Sequence, residues 1–161
     1  GLPHLAGEFL NQMTATQATH VPFAGTSPAL TALLGGHVDH LFADTSAVGQ
    51  IRAGKVRALA TTGAARNPAL PDLPTVAATL PGYEITQWWG LSLPAKTPRA
   101  LSERLQTEAV KAVNLPDVRE RIIRTGAEPV GGTAQAFDAL ISTEQKRLGN
   151  VIRKAGITLE D

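Results

Sequence analysis

Thr19-His20-Val21-Pro22-Phe23-Ala24-Gly25-Thr26-Ser27-Pro28-Ala29-Leu30 sets an apolar run against a small polar turn and then a helix start. Thr19 to Phe23 reads as a strand, Ser27 as a natural N-cap and Pro28 as a first helical residue, where its missing N–H costs nothing. The helix carries Leu30, Leu33 and Leu34 and is stopped by Gly35-Gly36. The same phrase then repeats. Val38 to Ala43 reads as a second strand, Asp44-Thr45-Ser46 opens a second helix with Val48 and Ile51, Gly54 stops it, and Lys55 to Thr61 reads as a third strand. An apolar run, a polar turn, a short helix and a glycine stop, repeated to Gly63, form the βαβ rhythm of a parallel sheet, so the predicted class is α/β.

Outward from this core the pattern changes. Upstream, Leu5, Ala6, Phe9, Leu10 and Met13 fall at helical spacing almost at once after Gly1, an abrupt beginning that suggests a processed or truncated chain. Downstream, Pro68, Pro71, Pro74 and Pro81 pin an ordered connector with one helical turn between Thr75 and Leu80. Ile85 to Leu93, with Trp88, Trp89 and Leu91, is the most β-like stretch of the chain, and Pro94 closes it. Three helices are predicted after it. Thr97 caps one that starts at Pro98 and carries Leu101, Leu105, Ala109 and Val113; Pro116 begins a second that ends at Gly126; Thr133 caps a long third that Gly156 stops. The charges on the first two, among them Glu103, Glu108, Lys111, Glu120 and Arg124, read as solvated faces with local ion pairs.

Composition narrows the chemistry. The 161 residues hold 15 Lys+Arg against 14 Asp+Glu, a formal charge of +1, which supplies no basic field for a phosphate backbone, so no nucleic-acid partner is expected. The absence of cysteine removes disulfides, Cys-ligated zinc, iron–sulfur clusters and a thiol nucleophile. No apolar stretch approaches the ~20 residues that span a bilayer.

Ligands of parallel βαβ units sit at the carboxyl edge of the sheet. Two turns share that address. Phe23, Ala24, Gly25, Thr26 and Ser27 form one, and Asp44, Thr45 and Ser46 the other; both offer hydroxyls and the unpaired N–H groups of a helix start. With the helix dipole behind them, they suit a carboxylate or a phosphate without any Lys or Arg. The plainer alternative is that both are only caps. Asp44 is either such a cap or an acceptor for a ligand hydroxyl, ammonium or water.

Sharper motifs fail on order or spacing. Gly49 to Lys55 mimics the start of a phosphate-binding loop, but Val56 stands where Ser or Thr must reach magnesium, and the glycines end a helix instead of opening one. His37, Asp39 and His40 cannot converge on a metal, since His40 faces away from the other two on a strand, so no metal is expected. Ser27 sits where a hydrolase nucleophile would. Gly25-Thr26-Ser27-Pro28-Ala29 nevertheless lacks the second glycine of the elbow, and Pro28 deletes the N–H that would serve as oxyanion donor. A serine hydrolase using Ser27 stays as the alternative, as does an assembly fragment with no ligand. Trp88 and Trp89 face opposite sides of their strand, so one can pack in the core while the other faces a cleft.

Three strings carry a resemblance: Val21 to Leu30, Leu34-Gly35-Gly36-His37-Val38-Asp39, and Ile51-Arg52-Ala53-Gly54-Lys55-Val56-Arg57-Ala58-Leu59-Ala60. It continues through Pro68 to Val76, Pro81-Gly82-Tyr83-Glu84, Trp88-Trp89-Gly90-Leu91, Pro94 to Pro98 and Gly126 to Gly131. In this order they resemble the Bug (Bordetella uptake gene) family, the substrate-binding proteins of tripartite tricarboxylate transporters. The resemblance implies a non-catalytic, cofactor-free periplasmic protein that captures a small organic carboxylate and delivers it to membrane permease subunits. It implies a periplasmic-binding-protein type II-like fold, a mainly parallel sheet flanked by helices. Residues 1–84 would be the second lobe without its first strand, and residues 85–161 the hinge crossover with C-terminal elements of the first lobe. Leu2 to Leu10 looks like the opening helix of that second lobe. Where the family usually has Tyr-Lys-Gly, this chain has Phe23-Ala24-Gly25, and Thr45-Ser46-Ala47 replaces a common Asn-x-Pro. On this reading the chain alone binds its ligand weakly or not at all, and uncovered faces from Trp88 to Leu93 favour self-association.

Overall fold

A computed structural model describes residues 1–158. Six helices carry the architecture: α1 (Leu2–Thr14), α2 (Thr26–Leu34), α3 (Val48–Arg52), α4 (Arg99–Val113), α5 (Pro116–Arg124) and α6 (Ala134–Ala155). Single turns of 3-10 helix stand at Thr45–Ala47, just before α3, and at Val76–Ala78, within the proline-rich connector.

Local chemistry explains most boundaries. Thr133 accepts a hydrogen bond from the Ala136 N–H at 3.1 Å and starts α6; Gly156, at φ 64°, ends it in the left-handed region that glycine enters without penalty. Thr75 caps its 3-10 turn by accepting from the Ala78 N–H at 3.2 Å. Gly54 stops α3 at φ 68°, so the glycine pair at 49 and 54 is a helix ending and not a phosphate loop.

Two helix starts differ from expectation. Gly25 is the N-cap of α2, and the helix begins at Thr26, leaving Ser27 and Pro28 inside its first turn. Pro28 is tolerated there because N–H groups of the first turn have no intrahelical acceptor. α4 begins at Arg99 with Pro98 in the capping position and no side-chain cap, so Thr97 is not its cap.

The larger difference concerns the sheet. Among the described residues the expected strands Thr19–Phe23, Val38–Ala43, Lys55–Thr61 and Ile85–Leu93 form no ladder; the single pairing is a parallel bridge between Thr61 and Thr75. A helix closes its hydrogen bonds within itself, whereas a strand exists only against a neighbour. Ile85 makes one such contact, its N–H donating to the Thr62 carbonyl at 2.8 Å, and beyond it the segment runs on with Trp89 63%, Leu91 78% and Leu93 43% exposed.

The core sits under α1. Ala6, Tyr83 and Ile85 are buried, with Phe9, Leu10, Met13, Phe42, Leu80 and Leu148 packed around them. Tyr83 is 1% exposed; its ring stacks on Phe9 at 5.2 Å and its hydroxyl donates to the Ala6 carbonyl at 2.9 Å. Burial pushes the Tyr83 phenol up to about 12. α6 crosses α1, and Gln12 ties them by donating to the Val151 carbonyl at 3.1 Å. On the exposed faces, Arg99–Glu103, Lys111–Glu108 and Arg124–Glu120 pair along their own helices as expected.

Candidate functional site

The two turns at the helix starts meet. The Thr26 hydroxyl donates to Asp44 Oδ2 at 2.8 Å, and the Ser46 N–H donates to Asp44 Oδ1 at 2.9 Å. Asp44 is thus both the cap of the 3-10 turn and the tie that holds the start of α2 beside it. Burial pushes its carboxyl up, but the hydrogen bonds from Ser46 and Thr26 together outweigh that and hold it below the ordinary carboxylate range. Both its oxygens are engaged, which favours an ionised brace over a ligand acceptor. Gly25, at φ 126° with open space where a Cβ would stand, lets the chain turn into α2 in a conformation other residues avoid.

An open cleft of about 590 Å³ lies beside this brace. Asp44, Thr45 and Ser46 line it together with Val48, Gly49, Arg52, Gln87, Trp89, Arg124 and Thr125. Three of the eight expected site residues therefore line it. Phe23, Ala24, Gly25, Thr26 and Ser27 do not, although Thr26 joins them through Asp44.

Gln87 and Trp89 were not anticipated in its lining. Ile85 is buried in the core, Trp89 lines the cleft, Gln87 borders both the cleft and a second groove, and Trp88 lines that groove, edge-on to Phe137 at 5.1 Å. The opposite-facing tryptophans were legible; the cleft that Trp89 lines was not. Arg52, at the end of α3, donates to the carbonyls of Arg124 at 3.4 Å and Ala69 at 3.3 Å, linking elements up to 72 residues apart. Nothing local to Arg52 could have signalled that.

Competing chemistries find little support in the geometry. No group of three metal-ligating side chains converges among the described residues. His4 and His20 stack at 3.7 Å, His40 lies edge-on to Phe42, and His37 packs beside Gly35. A second groove, about 480 Å³ and mostly apolar, runs between α1, residues 86–88 and α6, with Leu2, Leu5, Trp88, Ile141, Leu148 and Ile152 along it. No helix among the described residues is long and apolar enough to cross a membrane.

Residues 2–157 match the family model described as the tripartite tricarboxylate transporter family receptor. The chain belongs to that family. Three solved structures share its fold. The R. palustris protein Rpa4515, determined with adipate, is 34% identical at a TM-score of 0.87 over 98% of this chain and 54% of its own. The periplasmic binding protein BugD is 31% identical at 0.82, over 98% and 54%. MatC from Rhodopseudomonas palustris, with bound malate, is 33% identical at 0.80, over 93% and 53%. BugD is a periplasmic binding protein, and the fold this chain shares with it is of that α/β type. The chain spans about half the length of these proteins and of the first curated relatives it matches.

Proposed function

We propose that this receptor-family chain is part of an extracytoplasmic solute-binding protein, not an enzyme, and that its cleft holds a small organic carboxylate for delivery to membrane permease subunits. The observation that carries the proposal is the Asp44 brace. It joins two turns at helix starts beside an open cleft: Asp44 takes the Thr26 hydroxyl and the Ser46 N–H, and the Thr45 and Ser46 hydroxyls that line the cleft are the donors left for an anion. Adipate and malate in two neighbours support the same ligand class. In this reading Phe23 to Ser27 and Asp44 to Ser46 form half of a ligand cleft. Residues 1–84 belong to one lobe and residues 85–161 to the crossover and the other lobe. A periplasmic location follows from the same resemblance.

Titration of the folded chain with mono-, di- and tricarboxylates, followed by amide chemical shifts, tests the proposal. Saturable but weak binding of at least one carboxylate is expected. Silence from this chain, repeated with the folded full-length protein, would count against it.

A further inference from the structure

From Tyr83 to Pro94 the chain runs without a turn or bend. It is tied at its two ends: the Ile85 N–H donates to the Thr62 carbonyl, and the Pro94 carbonyl accepts from the Thr97 N–H. Between them, residues 86–93 make no backbone–backbone hydrogen bond among the described residues. One side of the stretch is held, since Trp88 is edge-on to Phe137 and Gly90 lies against the same ring. Trp89, Leu91 and Leu93 are exposed. An extended, apolar segment with free N–H and C=O groups is a template for another strand.

The residues themselves say which strand fits. No charge stands between Glu84 and Lys96, and Gly90 is the midpoint. When two copies run antiparallel about Gly90, Trp89 of each meets Leu91 of the other, Gln87 meets Leu93, and Glu84 meets Lys96, every pair occurring twice by the two-fold symmetry. Glu84 and Lys96 are both exposed, and neither is in a salt bridge among the described residues. A parallel, in-register pairing would instead set Glu84 on Glu84 and Lys96 on Lys96. The Phe137 ring already holds the segment extended, so pairing orders little that is not ordered before. From this we infer that residues 86–93 form the docking strand for a second copy of this chain, antiparallel and centred on Gly90, with Glu84–Lys96 pairs closing both ends. The inference is independent of the carboxylate reading above.

Sedimentation of the chain across a concentration series provides the test. A monomer–dimer equilibrium dissociating at about 10–100 µM is expected, the scale of a small interface, with amide exchange across residues 87–93 slowing as the dimer fills. Leu91→Asp sets a carboxylate against the apolar partner face at an exposed position; it should weaken the dimer by at least about tenfold and leave the circular dichroism of the monomer unchanged. Lys96→Glu turns two attractive pairs into repulsive ones and should weaken the dimer by about tenfold at low salt; adding Glu84→Lys restores the pairs and should recover most of that loss. A chain that stays monomeric up to about ten times the upper dissociation constant overturns the inference. So does association undiminished in Leu91→Asp, which places the contact on another face such as the groove between α1 and α6, or a Lys96→Glu defect that Glu84→Lys fails to recover.

Discussion

If Asp44 braces two turns, removing it costs more than removing a cap. Asp44→Ala deletes the cap of the 3-10 turn, typically about 1 kcal/mol. It also deletes an acceptor from the Thr26 hydroxyl; at this half-buried site, open to water on one side, a hydrogen bond contributes about 1 kcal/mol net. The sum is roughly 2 kcal/mol, or a fall in Tm of roughly 4–8 °C for a domain of this size. Thr26→Val removes only the second contribution, so it should cost about 1 kcal/mol. In Asp44→Ala the hydroxyl has already lost its partner. The double variant should therefore be less destabilised than the two single variants combined, with a coupling of about 1 kcal/mol. Urea denaturation followed by circular dichroism measures all four proteins. Costs that add to within about 0.3 kcal/mol would show that the two turns are held independently and that the brace is not a unit.

Two further outcomes follow from the core. Tyr83→Phe removes the hydroxyl that donates to the Ala6 carbonyl and should cost about 1 kcal/mol. Because the folded phenol titrates at about 12, above its ordinary value of 10, its contribution is fully present below pH 10 and is lost as pH rises toward 12; that alkaline decline, followed by denaturant midpoint against pH, should be smaller in Tyr83→Phe. At Gly90 an added Cβ would fall inside the Phe137 ring. Gly90→Ala should thus cost about 1–3 kcal/mol by overpacking, and Phe137→Leu in the same chain should recover part of it; an unchanged midpoint for Gly90→Ala alone would place that ring elsewhere.

How far the sequence foretold this molecule depends on the range of each interaction. Thr133, Gly156, Thr75, Gly54 and Asp44 act on residues within one turn, so their roles as caps and stops were legible. Ser27-Pro28 has the same local look, yet the helix begins at Thr26. Gly25 can adopt φ 126°, and the Thr26 hydroxyl finds Asp44, 18 positions away. The strands depended on neighbours. Period-two apolar runs such as Ile85–Leu93 announce a surface fit for pairing, but only the Ile85 N–H finds a backbone partner near that segment's start. The family resemblance was carried by the order of many short strings and holds across residues 2–157. The turn at 44–46 was visible because helix starts advertise unpaired donors. Arg52, Gln87 and Arg124 were not, since their convergence is set by tertiary contacts between α3, the crossing segment and the end of α5.

The central claim is that helix-start turns braced by Asp44 receive a carboxylate. Residue-resolved amide shifts during an adipate titration test it most directly. Saturable shifts are expected at Thr45 and Ser46, smaller ones at Thr26 and Ser27, and their joint loss in Asp44→Ala. Saturable shifts confined to the apolar groove between α1 and α6, with residues 44–46 silent, would contradict it.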